Sequence, residues 1–212
     1  MVSFAKSSVV IVDDHPVIRM ALSSLLSTNG LEVAGEADNG VDAIQLVKQV
    51  KPAVVVLDIS IPRLDGMTVI SRVRSLPEPP DILVFTSMAT QVYSRRCWQA
   101  GASGFVNKEQ NMTAVLNGIR SILDGYQYFP KDAKVSSDGE GRGDDGELIR
   151  SLSERELVVF SQIAQGRSNK EISDQLLISN KTVSTYKTRV YQKLGVSNVA
   201  ELIELAKRNA II

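Results

Sequence analysis

Three aspartates end apolar runs in this chain of 212 residues. Asp13 and Asp14 follow "VVIV" (9–12), and Asp58 follows "VVVL" (54–57). Such runs read as strands buried on both faces. Adjacent like charges repel and resist burial, which makes the set costly by itself. A hard divalent cation relieves that cost. Mg²⁺ takes oxygen ligands and keeps several waters, so a few carboxylates and one backbone carbonyl suffice. A carboxylate beside Mg²⁺ is also a nucleophile toward phosphorus. Thr86 closes "ILVFT" and Lys108 follows "GFVN". A hydroxyl and an ammonium at the same rim would bind phosphoryl oxygens and neutralise their charge. Phosphoryl transfer asks mainly for positioning and charge stabilisation, and these five residues offer both.

The elements that must position them alternate in type. Strand patterns cover 9–14, 32–37, 53–59, 81–87 and 104–108, with helical patterns between and after them. Ile18, Ala21, Leu22, Leu25 and Leu26 form one apolar stripe; Val41, Ile44, Val47 and Val50 form another, and Val115, Ile119 and Ile122 a third. The alternation predicts an α/β fold with a doubly wound five-stranded parallel sheet, flavodoxin-like, in order 2-1-3-4-5. Ligands of such sheets sit at the carboxyl ends of the strands, where the order reverses. The first and third strands are neighbours there, so Asp13, Asp14 and Asp58 converge on one crevice.

Composition narrows the class. Hydrophobic residues make up 43% of the chain, enough for a core, and the formal net charge is +0. The single cysteine, Cys97, excludes an intrachain disulfide framework and fits a reducing compartment. No apolar stretch approaches membrane-spanning length, and "MVSFAKSS" lacks an apolar signal core, so the expected location is cytoplasmic with no membrane partner. The stretch "KDAKVSSDGEGRGDDGE" (131–147) is Gly-, Ser- and Asp-rich and reads as a flexible tether. The expected division is 1–126, a linker over 127–150, and a second domain over 151–212. That last segment holds nine Lys+Arg against six Asp+Glu, net +3, so the neutral total hides a mildly basic module.

From Ser151 onward only helical patterns appear, and four helices are expected. Ser153 and Glu156 form a capping box, Gly166 ends the first helix, and Ile172, Leu176 and Leu177 are expected to face inward from the second. Ser179 caps the third helix and Gly195 ends it. Short helices joined by a tight turn predict an all-α helix-turn-helix module. On the third helix Val183, Tyr186, Val190 and Leu194 share one face. Lys181, Ser184, Thr185, Thr188, Arg189 and Gln192 share the other, which carries no acid. Hydroxyls, an amide and cations suit base edges and phosphates in a major groove.

The pattern of DD, D, T and K at successive strand ends resembles the receiver domain of bacterial two-component response regulators over about 8–126. The resemblance implies Asp58 as phosphoacceptor. It implies Mg²⁺ held by Asp13, Asp14, Asp58 and the Ser60 carbonyl, with Asp13 acting largely through water. It makes Thr86 and Phe105 a switch pair and Lys108 the phosphate-contacting lysine. "IPRLDG" (61–66) resembles the loop after the acceptor, whereas Glu109 stands where receivers commonly have proline. "LSERELVVFSQIAQGRSNKEIS" and "ISNKTVSTYKTRVYQKLGV" resemble the LuxR-type DNA-binding domain, which implies DNA contacts from Lys181, Ser184, Thr185, Lys187, Thr188 and Arg189. Together they resemble the NarL/FixJ class. "GYQYFP" (125–130) and "SNKTVSTYK" resemble its BvgA/EvgA subgroup. The implied partners are promoter DNA, a hybrid sensor histidine kinase or phosphotransfer protein, a second copy of the chain, and RNA polymerase. In receivers the side chains two places after the acceptor and two after the switch threonine flank the path of hydrolytic water. Here they are Ser60 and Met88, which implies a long-lived phosphoryl group.

Other readings compete. A lone Asp at a strand end is usually a cap or turn residue. A phosphorylation-independent DNA-binding regulator with a degenerate receiver would keep the fold and lose the chemistry. A haloacid-dehalogenase-type phosphatase wants a second Asp where Ser60 stands. No GxxxxGK[ST] loop exists. His15, the only histidine, is expected to cap or line the first helix's start.

Overall fold

The computed structural model describes residues 8–130, 144–209 and 211–212. Two compact units divide the chain, one up to residue 134 and one from 135 onward. The expected signal-free N-terminus (1–7) and most of the expected tether (131–143) lie outside the described residues.

The N-terminal unit runs β1 (Ser8–Val12), α1 (Pro16–Thr28), β2 (Glu32–Ala37), α2 (Gly40–Val50), β3 (Val54–Leu57), α3 (Gly66–Arg74), β4 (Asp81–Thr86), α4 (Thr90–Gln99), β5 (Gly104–Asn107) and α5 (Thr113–Leu123). The strands pair in parallel in the order β2-β1-β3-β4-β5, as the alternation predicts. Val9–Val12 of β1 and all of β3 are apolar because helices cover both sheet faces. Val9, Ile11, Val54, Val56, Leu83, Phe85 and Val106 pack with Leu22 and Leu26 of α1 and with Val115, Ile119 and Ile122 of α5. Each such side chain contributes roughly 2 kcal/mol on burial. Local signals start the helices. Pro16 opens α1, the Asn39 side chain accepts from the Val41 and Asp42 amides, and Asp65 accepts from the Thr68 amide.

Register positions the site. Val12 lies opposite Leu57, and the Asp58 amide donates to the Val12 carbonyl at 2.9 Å, so β1 and β3 end in step. Thr86 lies opposite Asn107, and the Lys108 amide donates to the Thr86 carbonyl at 2.8 Å. The strands are shorter than the apolar patterns suggest: Asp13, Asp14, Asp58 and Lys108 all stand beyond the paired segments. Their charges therefore meet the rim of the sheet and not its interior.

The C-terminal unit holds α6 (Asp144–Arg150), α7 (Glu154–Ala164), α8 (Asn169–Leu176), α9 (Asn180–Leu194) and α10 (Val199–Arg208). Ser153–Glu156 forms the expected capping box, and Ser168–Glu171 forms a second. Ser179 caps α9 by accepting from the Thr182 amide, and Gly195 ends it in the left-handed region at φ 67°.

Two expectations need correction, and a third, His15 at the start of α1, holds in its position. The linker expected over 127–150 is ordered at both described ends. Phe105 donates its amide to the Tyr128 carbonyl at 2.7 Å, which fixes 127–130 against β5. Residues 144–150 form α6, a fifth helix, because Ile149 buries its side chain and Asp145 pairs with Arg208 at 2.9 Å. One apolar anchor and one ion pair sufficed where average composition read as tether. Leu177, expected inward, is 64% exposed. It occupies the left-handed C-cap of α8 at φ 50°, and that turn rotates it out of the core. His15 stands at the N-cap position of α1 but makes no side-chain cap bond.

Candidate functional site

Asp13 and Asp58 are both buried, 1% and 2% exposed. Lys108 reaches both: its Nζ lies 2.6 Å from Asp58 Oδ2 and 2.6 Å from Asp13 Oδ2. The Asp58 contact is a hydrogen bond, and Asp13 Oδ2 forms an ion pair with the same ammonium. The other Asp58 oxygen accepts from the Ser60 amide at 3.1 Å. Asp14 is partly buried, and its Oδ1 lies 2.7 Å from His15 Nδ1, without a hydrogen bond. Acceptor atoms of Asp13, Asp14, His15 and Asp58 all lie within 4.8 Å of one another. Carboxylate oxygens gathered this closely are what a divalent cation bridges, so the cluster is compatible with such an ion.

Charge coupling follows from this geometry. Burial pushes the Asp14 carboxyl above its ordinary value, His15 opposes that, and the Asp58 and Asp13 charges add to it. Burial is also the largest influence on Lys108 and pulls it down, but Asp58 and Asp13 outweigh it and hold the ammonium above its ordinary range.

The loop after Asp58 is seated tightly. A Cβ on Gly66 would meet the Asp58 carbonyl oxygen and Ile59 Cα at 2.6 Å. A Cβ on Gly40 would run into the Leu64 carbonyl oxygen. Only glycine allows these approaches of α2 and α3 to the loop after Asp58. Opposite, Thr86 is buried, and its Oγ1 accepts from the Met88 amide at 3.4 Å. Phe105 is buried in β5, and Met88 is buried in the loop after β4.

Sequence reasoning missed two residues here. Arg19, one turn beyond His15, donates from Nη1 to the Asp13 carbonyl at 2.6 Å and reaches Glu36 at 3.3 Å. Asn107, read only as the end of a strand, donates to the Met88 carbonyl at 3.0 Å. The helical spacing to His15 could have flagged Arg19; nothing in the sequence flagged Asn107.

In the C-terminal unit, α9 buries Val183, Val190 and Leu194 and exposes Lys181, Ser184, Thr185, Thr188, Arg189 and Gln192. Tyr186 is half-buried. Ser184, Thr185 and Thr188 donate their hydroxyls to carbonyls one turn back, at 3.0, 2.9 and 3.0 Å, which leaves oxygen lone pairs outward. Ser184 also accepts from Asn169 Nδ2 at 3.3 Å, so α8 and α9 share a bond at this surface. Lys187 lies off the outward row: it is half-buried, with its ammonium 5.5 Å from the Tyr191 ring centroid.

Two known sequence families match this arrangement. Residues 9–120 match the response regulator receiver domain, and residues 150–206 match the luxR family of bacterial regulatory proteins. The chain belongs to the bacterial response regulators, with a receiver domain followed by a LuxR-type DNA-binding domain. It is 47% identical over 204 residues to the virulence-factor transcription regulator BvgA of Bordetella pertussis, covering 96% of this chain and 98% of that one. It is 34% identical over 202 residues to the DNA-binding transcriptional activator EvgA of Escherichia coli, covering 95% and 98%. Among solved structures it resembles RcsB of Salmonella enterica serovar Typhimurium bound to the rprA promoter with the phosphomimetic BeF₃⁻. That match has a TM-score of 0.64 and 25% identity, over 95% of this chain and 98% of that one. Among the described residues, no helix is long and apolar enough to cross a membrane.

Proposed function

We propose that this response regulator is switched by phosphorylation of Asp58 and then binds promoter DNA as a homodimer to regulate transcription. The observation that carries this reading is the Lys108 ammonium, 2.6 Å from Asp58 Oδ2 at the carboxyl edge of a parallel sheet. Asp58 is the nucleophile and takes the phosphoryl group from a phosphohistidine on a hybrid sensor kinase or phosphotransfer protein. Asp13, Asp14, Asp58 and the Ser60 carbonyl would hold Mg²⁺, which neutralises charge on the incoming phosphoryl oxygens when bound. Lys108 turns from carboxylate to phosphoryl oxygen, Thr86 donates its hydroxyl to another, and Phe105 repacks. Self-phosphorylation and its reversal are the only chemistry of the chain.

The receiver reaches to about residue 130, and the DNA-binding module begins at α6 and runs to 212. In that module Lys181, Lys187 and Arg189 contact phosphates, while Ser184, Thr185 and Thr188 face base edges. The dimer grips two half-sites about one helical turn apart or a multiple of it. RNA polymerase at the promoter is a further partner, and the location is cytoplasmic.

Acetyl phosphate with Mg²⁺ tests the reading. One phosphoryl mass should appear on Asp58, none on the Asp58→Ala variant, and DNA affinity should rise with it. Turnover with phosphate release would instead indicate a phosphohydrolase. Unchanged mass with DNA binding retained would indicate a regulator with a degenerate receiver.

A further inference from the structure

Two loops at the site must respond to a phosphoryl group: the one after β4, which follows Thr86, and the one after β5, which begins at Lys108. A single buried side chain joins them. Asn107, 8% exposed, donates from Nδ2 to the Met88 carbonyl at 3.0 Å and to Thr90 Oγ1 at 3.3 Å. Its Oδ1 accepts from the Glu109 amide at 2.8 Å. Both amide ends are thus engaged, one on each loop. Thr86 is tied into the same loop, since its hydroxyl accepts from the Met88 amide. Turning that hydroxyl toward a group on Asp58 takes it off the Met88 amide, and the Asn107 bonds hold 87–90 against any shift that follows.

We propose that Asn107 is a positioning residue that latches the β4–α4 loop to the end of β5 and sets the threshold for switching. The proposal rests on the phosphorylation reading above. While the latch is closed, the loop stays where Thr86 serves its own backbone. Breaking it removes a restraint from that position alone, so the equilibrium moves toward the switched state before any phosphoryl group arrives. Asn is suited to the role because one side chain supplies both an acceptor and donors at a fixed separation.

Asn107→Asp separates the two halves: it keeps the acceptor for Glu109 and removes both donors. Asn107→Leu removes all three bonds, and Thr90→Val removes only the weaker one. The full chain serves for every variant. Trp98, the sole tryptophan, lies near the C-terminal end of α4, the helix that Thr90 opens, and reports movement of that helix by fluorescence. Without a phosphoryl donor, Asn107→Asp and Asn107→Leu should bind promoter DNA about tenfold more tightly than wild type, the effect of one or two net hydrogen bonds. Their Trp98 emission should already sit near that of the phosphorylated wild type, and Thr90→Val should fall between. Variants that fold and gain mass on Asp58 like wild type, with Trp98 emission and unphosphorylated DNA affinity unchanged, would overturn the latch. If Asn107→Leu does not fold, Asn107→Asp and Thr90→Val decide the outcome. Failure of the wild type itself to gain mass would refute the underlying reading, and the latch with it.

Discussion

Lys108 Nζ hydrogen-bonds Asp58 Oδ2 at 2.6 Å, so the lysine that would contact a phosphoryl group already neutralises its acceptor. The same ammonium lies beside Asp13, and three strand ends are held through one cation. Removing it leaves two buried carboxylates uncompensated. Lys108→Met should therefore cost roughly 3 kcal/mol in the absence of divalent cations. Mg²⁺ should recover much of the loss, and the Asp58→Asn second change should recover part of it without metal. Urea unfolding of the three proteins with and without Mg²⁺ measures this. Lys108→Met matching wild type in metal-free buffer would show that the bridge is energetically idle.

The outward face of α9 gives a prediction about DNA. Arg189→Ala should weaken all sequences alike and lower the slope of log affinity against log salt by about one unit. Thr185→Ala should change preference among operators instead, by about 1 kcal/mol at one position. Binding of operator and random duplexes across a salt series separates the two. Equal losses on both duplexes for Thr185→Ala would remove it from base reading.

Glu156 links a capping box to an ion pair. It accepts from the Ser153 amide at 2.8 Å and pairs with Lys193 at 2.7 Å. Burial is the largest influence on it and raises its pKa, but Lys193 and Ser153 outweigh that and hold it below its ordinary value of 4.5. A depressed carboxyl stabilises the fold above its unfolded value and loses that contribution as pH falls through the folded one. Stability of the C-terminal unit should thus drop below about pH 4.5 in wild type. Glu156→Gln should lower stability at pH 7 by about 1 kcal/mol and flatten the acid limb. Denaturation followed at both pH values checks the sign; a steeper acid limb in the variant would reverse it.

A fourth prediction concerns the lifetime of the signal. Met88 is 4% exposed and Ser60 7%, and neither offers a carboxylate or amide to orient water. Phosphorylated wild type should decay slowly once donor is removed in the presence of Mg²⁺. Met88→Glu combined with Ser60→Asn should shorten that lifetime. A wild-type half-life of seconds would contradict the apolar cover.

The site was legible in the sequence where chemistry and periodicity coincide. Asp13, Asp58 and Thr86 each follow an unbroken apolar run, Lys108 stands one residue past another, and a parallel sheet brings such ends together by register alone. Asn107 is not legible, because it acts through a backbone carbonyl and an amide that only the folded loops deliver, and Arg19 shows only as a helical neighbour of His15. Leu177 was misread because hydrophobicity predicts burial, whereas the turn into α9 needed a left-handed residue at that place. α6 was misread because a window average dilutes one anchor, Ile149, among glycines and aspartates. Caps were the most readable local feature, since Ser153 and Glu156 satisfy each other within one turn.

Gly40 and Gly66 leave no room even for a methyl group between α2, α3 and the loop that carries Asp58. That side of the crevice is an anvil: it cannot recede when bulk and charge are added to the acceptor. Thr86 and Met88 on the opposite side share only a 3.4 Å contact. On the proposed phosphorylation of Asp58, the wall free to yield is the one toward β4 and β5, and that asymmetry would set the direction of the message.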